Sequence, residues 1–349
     1  MTTMTSQERV LAAIRRQPVD RVPVVEFLID PRVAAKAVPG CLDPADCMDR
    51  LGMDAVACGA KFQQVEERGP EFWVDEWGVL YQRGPEALDH PIQGPIATWD
   101  DLRRYNPPDP AAPHRLGALP DLVRRYKGRR AILFHQRAAF MWSAYLHGID
   151  TLLMDLLLEP EFTCALMDMV LETNLALVRR AIRAGAEVIV LGDDYASNHG
   201  PMMSPALFEA MILPRLKKMV DTIHEEGALA VKHSDGNLYP ILESIASSGA
   251  DGLNPIEPIA GMDLKTTKAR VGDRMALIGN IDCGHLLPFG TAEDVRQAVR
   301  QAIADAAPGG GFLISSSNSI HSSCKPENLV AMVQAAHEFG GVAAEGVQP

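Results

Sequence analysis

From about residue 130 onward the chain alternates short apolar runs with longer stretches in which apolar positions recur every three or four residues. The runs "RAILFH", "EVIVLGD", "ALAVKH", "DGLNPIE", "MALIGNI" and "FLISSSN" predict strands, and two earlier ones, "VPVVEFL" and "DAVACG", bring the number to about eight. Between them, "SPALFEAMILPRLKKMVDTIHEEG" predicts a helix with Ser204 as its cap, Pro205 in the first turn, a kink at Pro214 and a stop at Gly227. "TAEDVRQAVRQAIADAAPGGG" predicts another, capped by Thr291, with Glu293 and Asp294 in its first turn. Strands alternating with helices make a parallel sheet covered by helices. About eight such units favour a (β/α)8 TIM barrel over an open doubly wound sheet, and no GxGxxG follows a strand, against a dinucleotide site. One domain over residues 1–349 is expected. The Pro-rich "YNPPDPAAPHRLGALP" reads as a surface connection. "FWVDEWGVLYQRG" reads as a Trp-rich strand pair that either walls the barrel mouth or simply packs, with Asp75 and Glu76 as its candidate polar groups.

Composition narrows the classes of function. The 349 residues are 47% hydrophobic and 22% charged, an ordinary globular balance, and the net charge of -12 without a basic stripe argues against a nucleic-acid partner. "MTTMTSQERVLAAIRRQ" has no apolar signal region, and no run of about 18 apolar residues occurs, so neither secretion nor a membrane span is expected and a cytoplasmic enzyme is. Six cysteines show no CxxC spacing and read as buried thiols, except Cys283 and Cys324, which follow apolar runs in polar turn sequence. Met202, Met203, Met211 and Met219 read as packing.

In a barrel the chemistry sits at the carboxyl ends of the strands. Here those ends carry His135, Gln136 and Arg137; Asp193, Asp194 and Tyr195; His233 and Asp235; Asn254 and Glu257; Asn280, Asp282 and Cys283; and Asn318, His321 and Cys324. Asp194, Asn237 and Asn254 serve equally well as turn or helix caps. His233 and Asp235 in "VKHSDGN" stand two apart on an extended segment and so point to one side, a geometry for a shared metal or proton. Gly236 allows the turn and Asn237 can cap the next helix. Zinc takes three protein ligands from His, Cys and carboxylate and keeps a fourth position open, with Glu257, His321 and Cys324 available to complete the set.

"SQERVLAAIRRQPVDRVPV", "GDDYASNHGPMMSPALFEAMILPRLKKMV", "HSDGNLYPILESIASSGADGLNPIEP", "LIGNIDCGHLLPFGT" and "PGGGFLISSSNSIHSSCKPENL" together resemble the uroporphyrinogen decarboxylase superfamily over nearly the whole chain. The resemblance implies a single distorted (β/α)8 barrel with an N-terminal extension and its site in the mouth. Haem-pathway members carry an RQAGR-like segment after the first strand. Here that place reads "VVEFLIDPRVAAKAV", without a pair of arginines to clamp a porphyrinogen's several carboxylates. The chain is more similar to the branch of zinc methyltransferases that work with corrinoid proteins. Against those that use coenzyme M, His233 matches the histidine of an H-x-C motif, Asp235 replaces its cysteine, Glu257 takes the place of a nearby glutamate, and the last cysteine falls nearer His321 than Cys324. Such a set is harder than a thiolate pair, so zinc remains expected while thiol activation does not.

Three functions compete. In the first, zinc on His233, Asp235 and His321 or Cys324 activates a small methoxy or methylamino compound toward a corrinoid protein. Asp193, Asp194 and Tyr195 would orient the substrate, Glu257 would take part in turnover, and His135, Arg137, Asp75, Asn280, Asp282 and Asn318 would line its site. In the second, metal-free decarboxylation, Asp75 or Asp193 stabilises a protonated intermediate and Arg137 or a histidine positions the acid. The third is a non-catalytic binding subunit, against which the polar strand ends speak. A small-molecule substrate is expected, with a corrinoid protein and a second copy of the chain as candidate partners.

Overall fold

The computed structural model describes residues 3–84 and 89–341. Its centre is a parallel, curled, barrel-like sheet of seven strands: β1 (Ala55–Gly59), β2 (Ala131–Gln136), β3 (Val188–Gly192), β4 (Leu229–His233), β5 (Gly252–Asn254), β6 (Ala276–Ile281) and β7 (Phe312–Ser316). Each pairs with its neighbour in chain order, the connectivity of a singly wound, barrel-like sheet. Side chains alternate across it. Ala131 and Leu133, Val188 and Val190, Leu229 and Val231, and Ala276 and Ile278 form an inner core with Val10, Ala13 and Ile14 of the helix Ser6–Ile14. Ile132, Phe134, Ile189, Leu191, Ala230 and Leu277 face the outer helices. The same period carries His135, Gly192, His233, Asn254 and Ser315 inward as the last layer at the carboxyl ends.

The run at residues 22–28, expected as a strand, is a set of bridges instead. Val25 N donates to Ile314 O at 2.9 Å, Ile314 N to Pro23 O at 2.9 Å and Asp54 N to Val24 O at 2.7 Å, so this short segment touches both edges of the sheet. Two residues explain why no regular ladder forms. Pro23 has no N–H to give, and the Glu26 carboxylate takes the amides of Phe27 and Ser316, each at 3.0 Å, where a strand would offer carbonyls.

The outer helices carry the punctuation read in the sequence. Ser204 Oγ accepts from Leu207 N, and Thr291 forms a capping box with Asp294. The kink expected at Pro214 is a π-helical turn, Phe208–Ile212, just before it. Met203, Met211 and Met219 are buried in the core. The Trp-rich run forms two strands, Phe72–Asp75 and Leu80–Gln82, of a four-stranded antiparallel sheet completed by Gln64–Glu67 and His90–Gln93. Trp77, fully buried in the turn between them, stacks on Trp142 of the helix Phe140–His147 at 4.7 Å. No described helix is long and apolar enough to cross a membrane.

Candidate functional site

The register sets the site. His233 at the end of β4 pairs with Gly192 on one side and Asn254 on the other, and His135 on β2 lies two residues lower, beside Val190. Asn254 Nδ2 donates to Ile278 O at 3.0 Å and Ser315 Oγ at 3.3 Å, so its oxygen is left to accept from His233 Nδ1, at 2.6 Å. In the neutral imidazole that fixes the tautomer, with the proton on Nδ1 and the Nε2 lone pair turned to the mouth.

Opposite Nε2 lie two carboxylates. Asp235 Oδ1 is 3.5 Å from it and Asp194 Oδ1 is 3.9 Å away. Asp194 also accepts from the Asp235 amide at 3.2 Å, which brings the second acid over the first strand end. Asp235 Oδ2 is held by Asn318 Nδ2 at 2.6 Å, but Oδ1 is buried without a hydrogen-bond partner. Burial pushes the Asp235 carboxyl up to about 6, with Asp194 and Glu257 adding to the rise and His233 and Asn318 opposing it. Asp194, His233 and Asp235 are the described residues whose ligand atoms gather within 4.8 Å of one another. A bare imidazole nitrogen, an orphaned buried carboxylate oxygen and a second carboxylate suit a borderline or hard divalent ion such as zinc.

The turn after Asp235 is built to hold this set. Gly236 has φ 87, and a Cβ there would come 2.6 Å from the Ala196 carbonyl. Its amide donates to Glu257 Oε2 at 2.7 Å. Glu257 follows Ile256, a β-branched residue held at φ 56.

Several expected site residues stand elsewhere. Both nitrogens of His321 are engaged, Nε2 with Cys283 O at 2.8 Å and Nδ1 with Ser323 N at 3.3 Å. Cys324 is buried, its thiol pushed up to about 12 by that burial. The structure thus sets Asp194, rather than His321 or Cys324, beside His233 and Asp235. Asp193 accepts from the amides of Ala139 and Phe140, both at 2.9 Å, and Met141 at 3.4 Å, capping the helix Phe140–His147. Asp282 closes its own turn on Gly284, His285 and Leu286. Asn280 lines a cleft of about 420 Å³ that also takes in Leu264, Ala298 and Gln301 of the outer helices. Asp75 is buried in the antiparallel sheet, accepts from Val79 N at 2.9 Å, and is pushed up to about 6 by burial against the opposing pull of Tyr81. Tyr195 is buried with its hydroxyl unpartnered.

His135 and Arg137 do border the site. Burial, with His233 and Arg137 nearby, pushes the His135 imidazole down to about 3, so it is neutral, and its Nε2 is buried without a partner. Phe27 meets its ring edge-on at 5.5 Å. Arg137 Nη1 donates to Gly192 O at 2.7 Å, and its guanidinium lies 5.0 Å from the Tyr145 ring centre.

Two further residues were not singled out from the sequence. Lys232, fully buried on the outer face of β4, donates to Leu191 O at 3.2 Å and to the carbonyls of Asp193 and His233, and its Nζ sits 4.1 Å from the Tyr195 ring centre. Burial pulls it down to about 8 against the opposing charges of Asp193, Asp194 and Asp235. Glu26 is equally buried. The signal for both was a charge inside an otherwise apolar run, "ALAVKH" and "VPVVEFL".

The uroporphyrinogen decarboxylase (URO-D) family model matches residues 82–339. The chain is 25% identical over 381 residues to the uroporphyrinogen decarboxylase of Alkalilimnicola ehrlichii, covering 97% of this chain and 95% of that one. It is 26% identical over 349 residues to the methylcobamide:CoM methyltransferase MtbA of Methanosarcina acetivorans, covering 97% and 99%. Among solved structures it superposes on a methyltransferase from Methanosarcina mazei with a TM-score of 0.77 at 22% identity, over 96% of this chain and 99% of that one.

Proposed function

Because the chain belongs to the uroporphyrinogen decarboxylase family, whose named relatives include both decarboxylases and methyltransferases, we propose that it is a cytoplasmic zinc-dependent methyltransferase. On this reading it moves a methyl group between a small methoxy or methylamino compound and a corrinoid protein, on a (β/α)8 barrel whose eighth stave is the bridging segment at residues 22–25. The observation that carries it is the convergence of His233 Nε2 with the carboxylates of Asp194 and Asp235, one oxygen of which is buried and unpartnered. Those three residues would hold the ion. Bound there, zinc supplies Lewis acidity to the heteroatom that bears the methyl group.

The protein's own groups supply the rest. Asn254 keeps His233 in the ligating tautomer, as hydrogen-bond partners of ligating histidines do. Asn318 restrains one oxygen of Asp235 and leaves the other directed at the site. Glu257 holds the Gly236 turn, so its part in turnover would be to fix where Asp235 points. Neutral His135, with a free ring nitrogen, offers an uncharged polar contact to substrate.

The test is metal content. About one zinc per chain is expected in the purified protein, lost in His233→Ala with the fold retained. Full occupancy in that variant refutes the assignment. A second reading, metal-independent decarboxylation, is favoured by the named relatives, since the chain is about as similar to a uroporphyrinogen decarboxylase as to a methyltransferase. Metal-free protein that releases CO2 from a carboxylated substrate at full rate would establish it in place of the first.

A further inference from the structure

We infer that the small molecule handled here is a monocarboxylic acid, held through its carboxylate by Arg137. The inference rests on the methyl-transfer reading and names its substrate class. Several buried or half-buried arginines elsewhere in the fold are neutralised, Arg9 and Arg21 by Asp54 and Arg115 by Glu76, while Arg180 is spent on the carbonyls of Pro110 and Ala112. Arg137 is not neutralised in this way. Among the described residues no carboxylate pairs with it, although it stands half-buried at the carboxyl end of β2 in a chain of net charge -12. The two acids that follow its anchor Gly192 are committed, Asp193 to a helix end and Asp194 to the His233 and Asp235 group.

The guanidinium is nevertheless held in place. Gly192 O takes one N–H, and the Tyr145 ring supports its face. Beyond these contacts and a hydrogen bond with the Tyr145 side chain, its remaining N–H donors suit a planar carboxylate. Gly192, the anchor, is in register with His233, so the fork opens beside the proposed metal group. Arg137 and His233 come from strands two apart, a separation of roughly 10 Å at the usual strand spacing. The acid must therefore be compact, with its carboxylate at one end and its methylated heteroatom at the other, and neutral His135 lies on the strand that Arg137 follows. One fork means one carboxylate. Lys232, also at these strand ends, is buried and spends its donors on three carbonyls.

Calorimetric titration of zinc-loaded protein with methoxyacetate, 4-methoxybenzoate and the neutral methyl ester of the latter tests this. At least one acid should bind saturably. Its affinity should fall about tenfold or more in Arg137→Met and by less in Arg137→Lys, which keeps charge but not the fork. The ester should bind alike to all three proteins. Equal affinity of the acid for wild type and Arg137→Met overturns the inference, as does failure of both acids to saturate by roughly 10 mM. So does an affinity lost in His233→Ala but kept in Arg137→Met, since the carboxylate would then sit on the metal. Arg137-dependent binding of an acid to wild-type protein that takes up no zinc refutes the metal reading and leaves the carboxylate clamp standing.

Discussion

Replacing Glu26 by Gln separates a buried charge from the hydrogen bonds that surround it. Glu26 is completely buried, and burial pushes its carboxyl up to about 7 from an ordinary 4.5, against the opposing pull of the Ser316 and Phe27 amides. The unfolded chain releases this proton near 4.5, so folding takes one up between those two values. The stabilisation from a folded-state value raised in this way is fully present below about pH 4.5 and is lost as pH rises through about 7. At about 1.4 kcal/mol per pH unit, the swing amounts to about 3 kcal/mol. Gln does not titrate, but its amide can accept from only one of the two backbone N–H groups, which costs about 1–3 kcal/mol at every pH. Glu26→Gln should therefore be the less stable protein at pH 5 and should draw level with or overtake wild type by pH 8. Urea denaturation of both proteins at pH 5, 6, 7 and 8 measures the gap, in which all other titrating groups cancel. A gap constant to within about 0.5 kcal/mol across that range would show that Glu26 ionises alike in both states and would refute the reasoning.

Asn254→Leu removes the partner that fixes the His233 tautomer, and zinc affinity should fall roughly 10- to 100-fold in a chelator competition titration; unchanged affinity would dismiss that role. Asp193→Ala uncaps the helix Phe140–His147 and should cost about 1–2 kcal/mol in urea denaturation while leaving zinc affinity intact, which separates a structural acid from a ligating one. Lys232→Met leaves three buried carbonyls without their donor and should lower the stability of metal-free protein by about 3 kcal/mol or more, with faster amide exchange at Tyr195 and Asp235 in the loops it ties down.

The strands of the parallel sheet were legible because each is an apolar run with a polar end, whereas the layer that brings His135 and Asn254 beside His233 is set by the register. The eighth run was less legible. Its apolar pattern says strand, but Pro23 and the inward carboxylate of Glu26 break the ladder, and only the folded chain shows which amides that carboxylate intercepts. The pair His233 and Asp235 could be read from local geometry. Their companion could not, because Asp194 and Asp193 are adjacent acids after the same strand and sequence does not say which turns back to cap a helix and which turns in. His321 is a sensible ligand by type, yet its orientation is set by the Cys283 carbonyl, reached only through tertiary packing.

Lys232 sets an order of events in the making of the site. Proteins whose acidic ligands repel one another until an ion arrives often cannot fold without it. Here a cation is already built in behind the ligands, tying the ends of β3 and β4 together through main-chain oxygens and offsetting the charges of Asp193, Asp194 and Asp235. The ligand pair can be assembled first and loaded afterwards. The charges that hold this ammonium up include the two carboxylates an ion would neutralise, so a metal at the proposed site and the Lys232 ammonium would oppose each other across a buried, weakly screened distance. On the zinc reading, the consequence is a site prepared in advance, whose loading can follow folding rather than drive it.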